Sequence, residues 1–347
     1  CSASWNGIKV ELSGTIKNAF RKEPVGKKQE LDFSKFSLYN MNEYFSETEK
    51  QQLLKFIKFY NSLKLEGTTT CTAHFTVDRN DILKNRLLNS KLTVTLQTPE
   101  FNYNGSKLSA RIEASFLRGD IIVNSIQLQL DDNEFIRGKA RYNPLLKAID
   151  ASFSGNCLIL KTLKTFAPKL AAKIHFLKES DKPGSFTLRI KHSDISKPHL
   201  LNVEAQLSLN DVSYKKLHFH NLSGTFLFHN KKISARQVKF NTEQLSGALD
   251  LELDLKKDSL FLEGKFRGDP RQIHHFILPK GQKNFINIWK DFAWDEAALP
   301  HFEGTLLINE VMTKNPSQVK AKLRFMAAGA TYRSVRTQKI SSDIILD

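Results

Sequence analysis

Ten histidines and three cysteines are the side chains here best suited to hold a metal or attack a substrate, so their spacing comes first. His218 and His220 flank Phe219, and on an extended strand both imidazoles leave the same face. His274 and His275 are adjacent in a segment read as helical. A zinc site takes three or four ligands in a matching geometry. The His218–His220 pair has no cysteine near it in sequence and no obvious acidic third ligand, so two ordinary strand histidines are expected, with no metal. Asp131 and Asp132, followed by Asn133 and Glu134, lack the spacing of an EF-hand calcium loop and read as a solvated hairpin turn. Cys1, Cys71 and Cys157 are odd in number and widely spaced, without a C-x-x-C, which suits neither a disulfide framework nor a metal centre. Cys71 and Cys157 read as small packing residues. There is no G-x-S-x-G, no phosphate-binding Gly-rich loop and no H-E-x-x-H. The expectation is a protein that is not an enzyme, with no catalytic residue and no cofactor.

The elements that would position a site are strands. Leu201, Val203, Ala205, Leu207 and Leu209 alternate with polar residues, as do Leu249, Leu251, Leu253 and Leu255. So do Ile126, Leu128 and Leu130; Leu92, Val94 and Leu96; and Phe186, Leu188 and Ile190. Period-2 alternation puts one face of each strand against something apolar and the other against water. Turns such as Asn104-Gly105 and His229-Asn230-Lys231-Lys232 separate the runs, which predicts antiparallel neighbours. Helices are few. Ser46 and Glu49 form a capping box ahead of an apolar face at Leu53, Leu54, Ile57, Tyr60 and Leu63. Asn156 is expected to cap a second helix carrying Leu158, Leu160, Leu163 and Phe166 and stopped by Pro168. Asp269 and Pro270 open a third, through Ile273 and Phe276 to Pro279, and a fourth includes Ile286, Trp289 and Phe292.

The chain also repeats itself. Ile136-Arg137-Gly138 begins a strand, then a turn, then Phe153-Ser154-Gly155-Asn156 and a helix. Leu245-Ser246-Gly247 begins the same succession, through Phe266-Arg267-Gly268-Asp269 to a helix. A second pairing sets Val203 to Leu207, Val212-Ser213-Tyr214-Lys215 and Leu222-Ser223-Gly224 against Val319 to Leu323, Ala330-Thr331-Tyr332-Arg333 and Ile340-Ser341-Ser342. A shorter version runs from Leu92 through Phe101 and Tyr103 to Leu108. Units of several strands plus a helix suit a stacked array, because each covers its neighbour's open edge. The expected divisions are 1–90, a partial repeat with a helix near 46–64; 91–172 and 173–283, each ending in a helix; and 284–347, a helix with a truncated further repeat.

Composition bounds what such an array could meet. In 347 residues, 40% are hydrophobic and 25% charged, enough for a folded chain. Phe outnumbers Tyr and Trp, 25 against 7 and 3, which favours greasy surface over hydrogen-bonded surface. A net charge of +16 draws phosphate-bearing partners: nucleic acid, an anionic lipid surface or lipopolysaccharide. The charge is dispersed, with no block of one sign, and Phe266-Arg267-Gly268 stands alone as an RNA-binding signature, so no nucleic-acid partner is expected. The bland alternative is a charged face that only meets water. No stretch reaches the ~20 apolar residues that cross a bilayer. Opening at Cys1 without Met, and stopping at Ile345-Leu346-Asp347 within an apparent strand, the chain is read as a piece of a longer protein, any membrane anchor lying outside it. An acylated Cys1 of a processed lipoprotein is the alternative.

Several of these segments resemble the AsmA-like family of diderm bacteria, with its larger TamB-type relatives. The likeness is carried by Leu222-Ser223-Gly224-Thr225 to Phe240, Leu245-Ser246-Gly247 to Leu255, the Gly268-Asp269-Pro270 helix start, Pro300-His301-Phe302-Glu303-Gly304-Thr305-Leu306, and Trp5-Asn6-Gly7-Ile8 to Gly14-Thr15. The resemblance implies an elongated, strongly curved antiparallel sheet with a greasy inner groove, in the periplasm and tethered to the inner membrane. It also implies a part in phospholipid transport and outer-membrane integrity, with no catalytic residues.

The expectation is therefore a mainly β, non-enzymatic lipid-binding or lipid-transfer protein whose partner is a phospholipid or other anionic lipid. Its groove candidates are Leu92, Val94, Leu96, Ile126, Leu128, Leu130, Val203, Leu207, Leu209, Phe226, Phe228, Leu249, Leu251, Leu253 and Leu255. The same stripe also suits a closed core, which makes the alternative a structural or adhesive β-solenoid with a dry interior. The few helices and the excess of Phe favour the groove.

Overall fold

Alternation of the kind seen above forms ladders wherever neighbouring runs can be joined by tight turns, and ladders account for most of this chain. The computed structural model describes residues 2–5, 8–17, 69–78, 91–117, 120–131, 133–172, 177–214, 217–272, 287, 289–294, 299–309 and 318–346. The protein is mainly β and divides into two compact units, 1–131 and 132–347. The helix expected near 46–64 lies outside the described residues, as do His274, His275, Ile273, Phe276, Pro279 and Ile286.

The first unit contains β1 (Ser2–Trp5), β2 (Ile8–Lys17), β3 (Thr69–Asp78), β4 (Lys91–Gln97), β5 (Phe101–Tyr103), β6 (Ser106–Leu117) and β7 (Asp120–Leu130). All its pairings are antiparallel except β2 with β3, which run parallel from Ile8 beside Thr69 to Lys17 beside Asp78. A parallel pair cannot close through a two-residue turn and needs a long crossover. The antiparallel expectation does not hold at that pair.

The second unit is one ladder of near neighbours. It comprises β8 (Glu134–Asn143), β9 (Ala148–Cys157), β10 (Leu177–Glu179), β11 (Gly184–His192), β12 (Leu201–Tyr214), β13 (Leu217–His229), β14 (Lys232–Asn241), β15 (Leu245–Asp254), β16 (Ser259–Gly268), β18 (His301–Asn309), β19 (Gln318–Ala328) and β22 (Lys339–Leu346). From β8 the order runs through β9, β11, β12, β13, β14, β15, β16, β18 and β19 to β22, every pairing antiparallel. The short β10 also pairs with the end of β12. A second, small sheet joins β17 (Phe292–Ala293), β20 (Thr331–Tyr332) and β21 (Val335–Arg336).

Two short α-helices follow β9: α1 (Ile159–Phe166) and α2 (Pro168–Ala171). Asn156, expected to cap α1, is instead a residue of β9, paired with Phe135 and Ser185. The orphan N–H groups at the start of α1 go to carboxylates from other strands. Glu179 accepts from Ile159 at 2.7 Å, Leu160 at 2.8 Å and Lys161 at 3.4 Å, and Glu134 accepts from Leu158 at 2.9 Å. Negative charge at a helix N-terminus is favourable, and capping is worth about 1 kcal/mol. Burial still pushes the Glu179 carboxyl above its ordinary value, and these N–H groups pull it back down. Pro168 begins α2 rather than merely ending α1. Pro270 opens a 3₁₀ turn whose start is fixed by the Asp269 carboxylate accepting from the Arg271 N–H at 2.9 Å. Phe292, expected on a helix with Trp289, is a strand residue of β17.

The strands of the first pair of repeated segments pair alike. In β8–β9, Gly138 faces Phe153 and Gly155 faces Ile136; in β15–β16, Gly247 faces Phe266 and Gly268 faces Leu245. The reason is steric. A Cβ on Gly138 would lie 2.4 Å from Cδ1 of Phe153, and one on Gly247 would lie 2.6 Å from Cδ1 of Phe266. The glycine leaves its backbone bare and the facing Phe ring lies across it. The other repeat places its tyrosines at hairpin ends: Tyr214 pairs with Leu217, Tyr332 with Val335, and Tyr103 with Ser106.

At Gly247 the backbone oxygen of Lys265 would lie 2.8 Å from an added Cβ, so the clash cannot be relieved by a side-chain rotation alone. Gly247→Ala should lower unfolding free energy by about 1–3 kcal/mol in urea. Lys265→Ala, an exposed change on the paired strand, should move it by less than about 0.5 kcal/mol.

Candidate functional site

Rows of side chains form where register holds, because residues directly opposite on neighbouring strands share a face. In the second unit one row runs Ala140, Ala151, Ile190, Val203, Phe228, Ile233, Leu253, Leu260, Ile308. The next runs Phe153, Leu188, Ala205, Phe226, Ala235, Leu251, Leu262, Leu306, Ala321. Leu207 and Leu249 belong to a third, interspersed with Gly155, Gly264 and Gly304.

Keeping phase across so many strands takes correction. In β14 the apolar residues step from Ala235 to Val238, a bulge with Gln237 at φ 50° and its N–H donated to the Asp250 carboxylate. In β7 they step from Val123 to Ile126. Each bulge inserts one residue and returns the following run to the same face.

The rows are not equally covered. At one end Phe240, Phe266, Phe302 and Phe325 line up on β14, β16, β18 and β19, with Phe266 and Phe302 stacked at 5.1 Å between centroids. Trp289, Phe292 and Trp294 lie over them, Trp289 at 5.0 Å and Trp294 at 5.7 Å from Phe325. Leu217, Phe219 and Leu245 join this buried core. Away from it most row residues are half-buried, with Ala151 and Ala235 buried among them: Ile233 is 37% exposed, against 3% for Phe302.

Of the residues singled out from the sequence, Val203, Leu207, Phe226, Phe228, Leu249, Leu251 and Leu253 share this face and are half-buried. Leu209 is buried at the covered end. Leu255 lies past β15, in the turn, its N–H donated to the Lys231 carbonyl. In the first unit Leu96, Ile112 and Ile126 form one row and Val94 pairs with Ala114, while Leu92 pairs with Phe116. Leu128 is half-buried, and Leu130 is buried beside Leu108. Leu262, Leu306 and Ile308 belong to the rows but escaped the sequence reading. Leu306-Leu307-Ile308 is apolar on both faces, and Gly264 interrupts the run holding Leu262.

The opposite face is polar. Lys191 pairs with Asp150, Lys265 with Glu303, and Arg324 with both Glu303 and Asp343. Two depressions open on it, of about 540 Å³ around Lys265, Glu303, Lys322 and Arg324, and about 360 Å³ around Thr187, Gln206, Ser208 and Thr225. They are dents among charged and polar side chains, poorly suited to an acyl chain. Among the described residues, neither of these depressions opens on the apolar rows.

The polar face also departs from the expectation for the histidines. Asp211, between Asn210 and Val212 on β12, has φ 49°, and its carboxylate reaches His218 Nε2 at 3.4 Å and His220 Nδ1 at 3.7 Å. An acidic third group therefore does stand beside the pair. The sequence carried one sign of it: Asp211 occupies the place that Gly329, also at positive φ, holds in the matching repeat. Both residue types tolerate that backbone region.

Comparison with known protein families, curated proteins and solved structures finds no match for the chain.

The contrast in cover has a measurable form. Phe302→Ala should cost about 3–5 kcal/mol of stability, the range for a large aromatic in a packed core. Leu253→Ala, on the half-buried rows, should cost under about 2 kcal/mol. Equal, large losses in urea unfolding would show that the rows are closed over.

Proposed function

We propose that the protein is a non-enzymatic lipid-binding or lipid-transfer protein of the AsmA-like, TamB-type kind, its apolar rows shielding acyl chains from water. One observation carries the reading: a half-buried apolar face that stays in register across successive strands and is packed over by aromatics at one end. Half-exposed apolar rows of this length on an ordinary monomer surface are uncommon and mark a place where something apolar sits. About 0.8 kcal/mol per buried methylene gives an acyl chain of about fifteen carbons on the order of 10 kcal/mol for staying out of water. Movement along a continuous stripe breaks no bond and trades one apolar contact for the next. The net charge of +16 suits anionic headgroups at the edges. No helix among the described residues is long and apolar enough to cross a membrane. The proposed setting is the periplasm, with tethering to the inner membrane through another region or through Cys1, and a part in outer-membrane biogenesis.

The variant that tests this is Leu251→Asp, in the middle of the second row between Ala235 and Leu262. On an open face the carboxylate reaches water, and the protein should keep its β-type circular dichroism while lipid recovered by extraction and mass spectrometry falls to background. On a closed face an unpaired buried carboxylate costs several kcal/mol and the fold should be lost. That outcome would favour the dry solenoid and end the transport reading, as would native protein that carries no lipid.

A further inference from the structure

The cluster on the polar face has no part in lipid shielding, and its geometry is that of a ligand set. His218 and His220 leave β13 on one side, their rings T-shaped at 87° with centroids 5.1 Å apart. Asp211 comes from β12, where the left-handed φ interrupts the ladder between the Asn210–Asn221 and Val212–Phe219 pairs. One oxygen of the Asp211 carboxylate and one nitrogen of each ring all fall within 4.8 Å of one another. Two ligands each about 2.0–2.2 Å from zinc lie about 3.3–3.6 Å apart in a tetrahedral site, so a small inward movement of the three side chains would bring them onto one ion.

The surroundings fix the donors. Ser213 Oγ is 3.2 Å from His218 Nδ1, which leaves Nε2 towards Asp211 Oδ1. Lys182 holds the other oxygen, Oδ2, of Asp211. The Asp211 main chain is tied as well, its carbonyl accepting from the Ser180 N–H at 3.2 Å, while the Asn210 amide donates to the Pro183 carbonyl at 2.9 Å. Outer partners of this kind orient metal ligands in known sites.

We propose that Asp211 Oδ1, His218 Nε2 and His220 Nδ1 bind one borderline divalent transition-metal ion of the zinc type. Two imidazoles and a carboxylate suit such an ion, and three protein ligands leave a fourth position for water. His218 and His220 are about half exposed, so the ion is reached directly from solvent. Bound there, it ties β12 to β13 and, through Asp211, to the 180–183 turn.

The test uses the whole protein, stripped by chelation and then titrated with zinc chloride in a calorimeter. Cobalt chloride serves as a second probe, because its visible bands report four-coordination. One equivalent should bind. Asp211→Asn, which keeps size and tolerance of positive φ, should weaken binding tenfold or more. His218→Ala with His220→Ala should abolish it, with circular dichroism confirming that both variants stay folded. Absence of saturable binding overturns the proposal. So does binding in Asp211→Asn equal to the parent, which would reduce the site to an imidazole pair, or one equivalent retained by the double variant.

Discussion

The pleat of a β-strand sends successive side chains to opposite faces, so a sheet keeps an apolar face only while every strand stays in phase with its neighbours. This constraint governs the second unit. A slip of one residue within β14 would turn Val238 and Phe240 away from Leu249 and Gly247 while Ile233 and Ala235 kept their face. The bulge around Gln237 prevents it, as the bulge between Val123 and Ile126 does in the first unit. The polar face follows from the same rule, since whatever is not apolar in each run points the other way. Ion pairs such as Lys265 with Glu303 and Arg324 with Asp343 need no further cause, and at such exposed positions they add little stability.

Glycine and phenylalanine act together within this frame. Where Gly138 faces Phe153 and Gly247 faces Phe266, the missing Cβ lets an aromatic ring lie flat across the neighbouring backbone. That lets large rings occupy the face without standing out of it. At the covered end Phe266 stacks on Phe302, and Trp289 and Trp294 lie against Phe325, so this aromatic cluster is also buried.

Much of the strand architecture was legible because alternation is a local signal. The repeats were legible too, down to the equivalence of Tyr214 and Tyr332, because hairpin ends and Phe–Gly pairs depend on a few neighbouring residues. What was not legible depends on distance. The helix α1 is capped by Glu179 and Glu134, which lie far from it in sequence, so Asn156 was the natural but mistaken choice. The parallel pairing of β2 and β3 has no local mark at all. Asp211 was hidden because its partners sit across a hairpin and its approach needs a left-handed backbone that the sequence only hints at. Among the groove candidates, alternation assigned the face correctly for Val203, Phe226 and Leu251. It carried no information about cover, which separates Leu209 from Leu207.

The order of pairing has a kinetic side. In the second unit nearly every strand bonds to one that precedes or follows it closely in the chain, so ordering each new strand closes only a short loop. Such a sheet can grow in the order in which the chain is made or delivered, each hairpin templating the next, without waiting for a distant partner. The β2–β3 pair is different, because Ile8 and its partner Thr69 are far apart in sequence. Contacts of that separation form slowly. Closing that one parallel pair therefore costs more chain entropy than closing a short hairpin such as the one between β13 and β14.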